Sequence, residues 1–219
     1  MPIVLDPKGH PVEVISGGNV NGPWDMTALD GGVVTQLFFA NVLNGGVAGA
    51  PPDSPVNEGT VVRMTLFTPP VGFGKPLVLG SKVIGSGFAE ENDPAALIIG
   101  PTGLALDFND DLLVADTIGN RIARIPNASF RFTSAGTGET VASGLPLNGP
   151  LGLTIAPDGD ILAVNSLDGN IVDVSEDGTQ TFATIAPAGA GSLFGLAVMP
   201  GGGGIYFVDD SENQLNLFN

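Results

Sequence analysis

Four polar side chains, each placed directly after a short apolar run, are the residues whose type and spacing favour a binding site. They are Asn41, Asp116, Asn165 and Asp209. If the segments that carry them are equivalent units around one axis, four oxygens converge there and suit a hard cation such as Ca²⁺. The alternative is that each side chain caps its own turn by accepting hydrogen bonds from nearby backbone N–H groups. The sequence predicts either a calcium site or four structural caps.

A second candidate group lies where the first strand of a unit begins. Trp24 and Asp25 hold this place near the N-terminus, and Phe194 holds the matching place near the C-terminus. The chain's single tryptophan, set beside an axial opening, would stack on a ligand such as a sugar; packing against a neighbouring unit is the alternative. These three residues are predicted to contact a small-molecule or carbohydrate ligand.

Several kinds of catalysis are excluded by residue type. The chain has no cysteine and one histidine, His10, which is expected to be an ordinary turn residue. A Ser/His/Asp triad and a three-histidine metal site therefore cannot form within one chain. Adjacent carboxylates such as Glu90-Glu91 point to opposite faces of a strand and are poor acid–base partners. No catalytic residue is predicted.

The elements that must position these residues are repeated strand pairs. Residues 149–165 contain two short strands joined by a Pro-Asp-Gly-Asp turn, and the pattern recurs at 100–116, at 193–209 and, in divergent form, at 22–41. Units of four strands at a spacing of 40–50 residues predict an all-β β-propeller of four-stranded antiparallel blades. Runs such as Leu-Leu-Val-Ala are almost continuously apolar, as expected for strands that are covered on both faces.

The units divide the chain as one domain, 1–219. The last unit lacks its outermost strand, and the N-terminal hairpin is expected to pair with that unit as a clasp that closes the ring. A loop rich in Gly, Ala and Pro interrupts the first unit, and loops of this kind often carry function. The predicted segments are the clasp 1–21, the units 22–99, 100–148, 149–192 and 193–219, and the inserted loop 44–58.

Residues 100–125 carry the pattern Gly-Pro-x-Gly-Leu-Ala, a short acidic turn, and Leu-x-Val-Ala-Asp-x-x-x-Asn-Arg-Ile. This pattern resembles the NHL repeat. The resemblance implies a ring of about six blades, of which this chain carries four and a half. A fragment, a small closed ring and a ring completed by another subunit all remain open.

A related family, the calcium-dependent lactonase-like propellers, gathers Asn, Asp and Glu ligands in its channel. Its pattern has Asn before the Gly-Leu of a first strand, where this chain has Thr102, Leu151 and Phe194. The resemblance to that family is therefore weaker at the ligand positions. Ca²⁺ is the one cofactor that the sequence suggests.

Charge and length limit the partners. The formal net charge is −16, from 7 basic and 23 acidic residues, so nucleic acid would be repelled. No apolar run approaches the roughly 18 residues of a membrane span. The given chain shows no signal-peptide pattern, and its composition favours an exported bacterial protein.

These observations favour a non-enzymatic NHL-type propeller that binds a protein or small molecule through its channel rim and the 44–58 loop. One alternative is a calcium-dependent lactonase-like or lyase-like enzyme. The other is a partial propeller that forms a homo-oligomer through open strand edges, because unpaired edges invite pairing.

Overall fold

The fold is almost wholly β-strand. A computed structural model describes residues 1–17, 19–70, 73–94 and 97–219, and over these ranges the one helical element is a 3₁₀ turn, Val47–Gly49. None of the described residues forms a helix with the length and apolar character needed to cross a membrane.

An N-terminal hairpin precedes the propeller. Its strands are β1 (Ile3–Leu5) and β2 (Pro11–Val14), which pair with each other in a separate two-stranded sheet. In the turn, the Asp6 carboxylate accepts hydrogen bonds from the backbone N–H groups of Lys8 and His10. The His10 ring also contacts Asp6, with 3.1 Å between Nδ1 and Oδ2, so this histidine is the turn residue that the sequence predicts.

Four antiparallel sheets follow in sequence order, and we call them the first to fourth blades. The first blade has five strands: β3 (Pro23–Asp30), β4 (Val34–Asn41), β5 (Val56–Phe67), β6 (Leu77–Asp93) and β7 (Leu97–Ile99). The second has β8 (Pro101–Leu106), β9 (Leu112–Asp116), β10 (Arg121–Ile125) and β11 (Glu139–Ser143). The third has β12 (Pro150–Ile155), β13 (Ile161–Asn165), β14 (Asn170–Val174) and β15 (Gln180–Thr184). The fourth has β16 (Leu193–Val198), β17 (Ile205–Asp209) and β18 (Gln214–Phe218).

This architecture confirms the predicted all-β propeller. The strand pairs predicted at 100–116, 149–165 and 193–209 are observed as β8 and β9, β12 and β13, and β16 and β17. In the first unit, β6 is 17 residues long and extends to Asp93. The beginning of β5 pairs with that extension, so strand β5 also includes the last three residues of the predicted 44–58 loop.

The blades stack face to face, which explains the continuous apolar runs. Along β9, Leu112 and Val114 pack against the first blade, whereas Leu113 and Ala115 pack against the third. Successive side chains of a strand point to opposite faces, so a strand between two blades needs apolar residues at every position. The third and fourth blades meet through Val164, Leu193 and Phe207.

The hairpin does not form the predicted clasp. Instead of pairing with the fourth blade, it lies on the first, where Ile15 and Val4 cover Phe39, Met64 and Leu66. The reason is that the outward face of the first blade carries large apolar side chains that the second blade does not cover. Burying them is worth roughly 2 kcal/mol per side chain.

The fourth blade ends at β18, which pairs with β17 alone among the described strands. Leu215 and Leu217 on this strand are exposed. Association of copies through such an open edge stays a prediction, and β18 is the strand concerned.

Candidate functional site

A shared irregularity at the start of each innermost strand builds the axial site. In all four blades the register between the first two strands slips, so that two residues leave the ladder before regular pairing resumes. The displaced pairs are Trp24-Asp25, Thr102-Gly103, Leu151-Gly152 and Phe194-Gly195. Bulges of this kind redirect side chains away from the sheet, and here they do so at the propeller axis.

All the displaced residues except Thr102 line a cavity of about 210 Å³. Its wall includes Trp24, Asp25 and Phe194, the three residues that the sequence predicts as ligand contacts. The tryptophan and phenylalanine come from the first and fourth blades, so the cavity joins the two ends of the chain's blade series. The three residues therefore lie around one cavity, and their role in ligand binding stays a prediction.

Glycines set the width of this cavity. A Cβ atom on Gly103 would collide with the backbone carbonyl of Leu151, and one on Gly152 would collide with that of Phe194. The innermost strands of the second, third and fourth blades therefore approach one another backbone to backbone. Only a residue without a side chain permits this approach.

Asp25 occupies the position equivalent to these glycines in the first blade. Its Oδ2 accepts a hydrogen bond of 2.8 Å from the backbone N–H of Leu104, and its Oδ1 accepts one of 2.7 Å from that of Met26. Burial raises the pKa of the Asp25 carboxyl, and the two backbone hydrogen bonds counteract part of that rise. The carboxyl is thus held rigidly and is a stronger base than an exposed aspartate.

The chemistry available to this carboxyl follows from its remaining lone pairs. Each oxygen of an ionised carboxylate accepts about two hydrogen bonds, and each oxygen of Asp25 uses one on a backbone amide. The others remain for a ligand hydroxyl or a water molecule in the cavity. With Trp24 and Phe194 as apolar walls, the site suits a small ligand with one apolar face and several oxygens.

The two asparagines of the predicted calcium set connect backbone segments that are distant in the sequence. Asn41 accepts a hydrogen bond from the backbone N–H of Asn21 and donates to the carbonyl of Asn19. Asn165 accepts from the N–H of Asn148 and donates to the carbonyl of Pro146. Both are fully buried, and their amides connect segments at the ends of strands.

The two aspartates of that set form local contacts instead. Asp116 forms a buried ion pair with Arg121, with 2.8 Å between Oδ2 and Nε, and its other oxygen accepts from the N–H of Gly119. Asp209 accepts from both the backbone N–H and the hydroxyl of Ser211. Asp116 and Asp209 thus accept N–H groups of their own turns, as the capping alternative predicts, whereas Asn41 and Asn165 bond backbone groups 17 to 22 residues away in the chain.

Calcium binding by these four residues stays a prediction without support from their contacts. They occupy equivalent places, each opposite the first residue of an innermost strand, but they do not line the axial cavity. Among the described residues, no group of three or more His, Cys, Asp or Glu is arranged to hold a metal ion. The acidic turn at 107–111 is likewise a local cap, since Asp107 accepts from the N–H groups of Asn109 and Asp111.

One carboxyl that the sequence reasoning set aside is buried near the inserted loop. Glu90 on β6 is completely buried, and its Oε1 accepts a hydrogen bond of 2.9 Å from the backbone N–H of Asn44. No local pattern distinguishes Glu90 from Glu91, because Asn44, which contacts Glu90, lies 46 residues earlier in the chain.

Comparison with known proteins supports the fold. No protein-family model matches the chain, and no curated protein matches it. Among solved structures, it is similar to a gluconolactonase from Xanthomonas campestris, with 17% identity and a TM-score of 0.57 over 94% of this chain and 61% of that one.

Two further solved structures share the fold. A streptogramin B lyase has 16% identity and a TM-score of 0.53 over 93% of this chain and 53% of that one. A chain of a nidogen/laminin complex has 18% identity and a TM-score of 0.50 over 74% of this chain and 54% of that one. The chain thus spans between 53% and 61% of the lengths of these three proteins. At such identities the likeness concerns the propeller fold alone.

Proposed function

We propose that the axial cavity binds a small sugar-like lactone and that Asp25 acts there as the general base of a hydrolase. The observation that carries this proposal is the position of Asp25: it is a partly buried carboxyl of raised pKa on the wall of a cavity that also contains two aromatic residues. A raised pKa brings a carboxylate closer to the basicity that proton abstraction at neutral pH requires.

The reaction needs only water as a second reactant. Asp25 takes a proton from a water molecule while the water oxygen bonds to the carbonyl carbon of the lactone. The tetrahedral intermediate then collapses, the ring C–O bond breaks, and the departing alkoxide oxygen receives the proton from Asp25. The product is the open hydroxy acid, and the carboxylate is regenerated.

Calcium does not fit this cavity. Ca²⁺ takes six to eight oxygen ligands, whereas Asp25 is the carboxylate among the cavity-lining residues and its neighbours there are tryptophan, glycine, leucine and phenylalanine. Thr102, at a position where lactonase-like propellers carry a ligand, uses its hydroxyl on Thr117 and on the carbonyl of Leu151. No step of the proposed reaction therefore passes through a metal ion.

The similar solved structures support the proposal by analogy. One of them is described as a gluconolactonase and another as a streptogramin B lyase, and both are enzymes on the same fold. The nidogen/laminin complex supports the other expectation, a non-enzymatic scaffold, because it is an assembly of proteins. The partly buried carboxyl in the axial cavity favours the enzyme, since a purely protein-binding propeller has no need of it.

A panel of sugar lactones, with glucono-lactone first, tests the proposal by following acid release. Wild-type protein is expected to accelerate ring opening, and Asp25→Asn is expected to lower kcat by about 10²–10⁴-fold, the usual contribution of a general base. Asp30→Asn is the matched control, because Asp30 is an exposed residue at the far end of the same strand. If the wild-type protein binds the lactone without turnover, and Asp25→Asn binds it equally well, the non-enzymatic scaffold becomes the better interpretation.

A further inference from the structure

A cavity of about 200 Å³ lies between strands β5 and β6 of the first blade and the connection from β10 to β11 in the second. Its lining residues are Arg63 and Thr65 on β5, Gly80, Ser81 and Lys82 on β6, and Phe132 in the connection. None of these residues lines the axial cavity, so this site does not depend on the proposed hydrolase activity.

Two basic side chains stand directly opposite each other in the wall of this cavity. Arg63 pairs with Lys82 across the two antiparallel strands, and directly opposed side chains lie on the same face of a sheet. Like charges in this position destabilise a strand pair. The chain has 7 basic residues against 23 acidic ones, so two of its few cations are placed where they repel each other. An anion between them would replace that repulsion by attraction.

Arg63 is buried, yet most of its hydrogen-bond donors are unused. The residue is 8% exposed, and its Nη1 donates to the carbonyl of Ala128 at 2.9 Å. A guanidinium has five N–H donors, and no other acceptor among the described residues bonds to this one. Unpaired donors of a buried charged group are costly. The side chain therefore lacks an acceptor that a ligand in the cavity would supply.

Asp110 is the acidic residue whose charge acts on Arg63. Burial lowers the pKa of the Arg63 guanidinium, and the charge of Asp110 counteracts part of that effect. The ion pairs found among the described residues involve neither Arg63 nor Lys82. The Oδ2 atom of Asp110 instead accepts a hydrogen bond from the backbone N–H of Ser129. Within the described part of the chain, the two basic side chains thus have no direct counter-ion.

We propose that this cavity binds a phosphate group through Arg63, Lys82 and Thr65. Thr65 lies two residues after Arg63 on the same strand, so its side chain shares the same face. The charge of a phosphate monoester, about −1.5 to −2 at neutral pH, matches two cations, and its oxygens accept from several charged donors at once. A carboxylate has one charge and two oxygens, and it would leave more of these donors unpaired.

The space for the phosphate group lies beside Thr65. Gly80 is directly opposite Thr65 in the strand pair, and a Cβ atom on Gly80 would meet nothing within 4 Å. Phe132 lines the same cavity and is 77% exposed. The glycine thus leaves room next to the hydroxyl, and the phenyl ring offers an apolar surface to the organic part of a phosphate ester.

Calorimetric titration of the purified chain at low ionic strength, first with sodium phosphate and then with phenyl phosphate, tests this site. We expect one binding site, and we expect Arg63→Gln and Lys82→Gln each to weaken it about tenfold or more, the usual effect of losing a hydrogen bond to a charged group. Gly80→Val fills the space without changing the charge and should also weaken binding. Lys8→Gln is the charge-matched control, because Lys8 is exposed in the turn of the N-terminal hairpin.

The two compounds distinguish the source of the phosphate group. Tighter binding of phenyl phosphate than of inorganic phosphate would identify a phosphate ester held against Phe132. Equal or tighter binding of inorganic phosphate would identify the free ion.

Three results would overturn the proposal. The first is that wild-type protein binds neither compound. The second is equal weakening in Lys8→Gln and Lys82→Gln, which would reduce the effect to general electrostatic attraction. Lys82 is exposed, so this comparison is informative even if Arg63→Gln fails to fold. The third is tighter binding of benzoate than of phenyl phosphate, which would assign the cavity to carboxylates.

Discussion

The Asp25 carboxylate accepts a hydrogen bond from the backbone N–H of Leu104 at 2.8 Å, and so joins the innermost strands of the first and second blades. Between the second and third blades, and again between the third and fourth, glycine takes the equivalent position and the backbones of the innermost strands meet directly. Among these three contacts between neighbouring blades, only the one between the first and second is made by a side chain. That side chain brings a carboxyl to the axis of an otherwise apolar and glycine-rich channel.

Alanine substitutions at Gly152 and Gly195 test the close contact between the third and fourth blades. Gly152→Ala forces a methyl group into the carbonyl of Phe194, whereas the same change at Gly195 meets only a methyl of Val208 at an ordinary 3.4 Å. We expect Gly152→Ala to lower the free energy of unfolding by about 1–3 kcal/mol, the usual cost of overpacking. Gly195→Ala should change it little or raise it by up to about 1 kcal/mol. Urea denaturation measures both changes. Equal losses in the free energy of unfolding would contradict the close backbone contact at Gly152.

The pH dependence of stability should report the raised pKa of Asp25. The folded state holds the Asp25 proton more tightly than the unfolded state, whose carboxyl has the ordinary pKa of 3.8. Protonation therefore favours folding, and this contribution grows as the pH falls through the raised folded-state pKa and is complete only below 3.8. Between neutral pH and pH 4, the wild-type protein should gain free energy of unfolding relative to Asp25→Asn. Parallel curves for the two proteins would show that Asp25 titrates normally.

The buried amide of Asn165 should contribute a measurable part of the stability. Asn165→Ala removes a buried amide and leaves the N–H of Asn148 and the carbonyl of Pro146 without their partner. The expected loss is about 1–3 kcal/mol in the free energy of unfolding. Asn109→Ala, at an exposed turn position, is the control and should be nearly neutral. Repeating both measurements with Ca²⁺ separates the two roles, because a ligand residue would lose a calcium-dependent increment and a cap would not.

Two ion pairs in the second blade differ in burial and should differ in strength. Arg121 and Asp116 are 2.8 Å apart with side-chain exposures of 16% and 5%, whereas Arg124 and Asp111 are 3.7 Å apart with exposures of 32% and 19%. Arg121→Gln leaves a buried carboxylate unpaired, so we expect a loss of about 3 kcal/mol. Arg124→Gln should cost less than about 1 kcal/mol. Thermal or urea unfolding of both variants checks this order, and a reversed order would contradict it.

The strands and their order were within reach of the amino-acid sequence. A turn such as Pro157-Asp158-Gly159 and a run such as Leu112–Ala115 are determined within a few residues, because turn conformation and side-chain alternation are local properties. The same local logic placed Trp24 and Phe194 at equivalent positions, with Asp25 next to Trp24, since equivalent positions in a repeat share one place in the fold. The structure then found these three around one cavity.

Long-range packing decided the rest. The hairpin at 1–16 lies on the first blade because Phe39, Met64 and Leu66 were left uncovered there, and that free surface depends on how whole sheets stack. Glu90 and Glu91 are indistinguishable by pattern, yet Glu90 is buried because a loop from another part of the chain closes over it. Local sequence determines which way a side chain points, but its burial and its partners depend on segments that only the tertiary structure brings together.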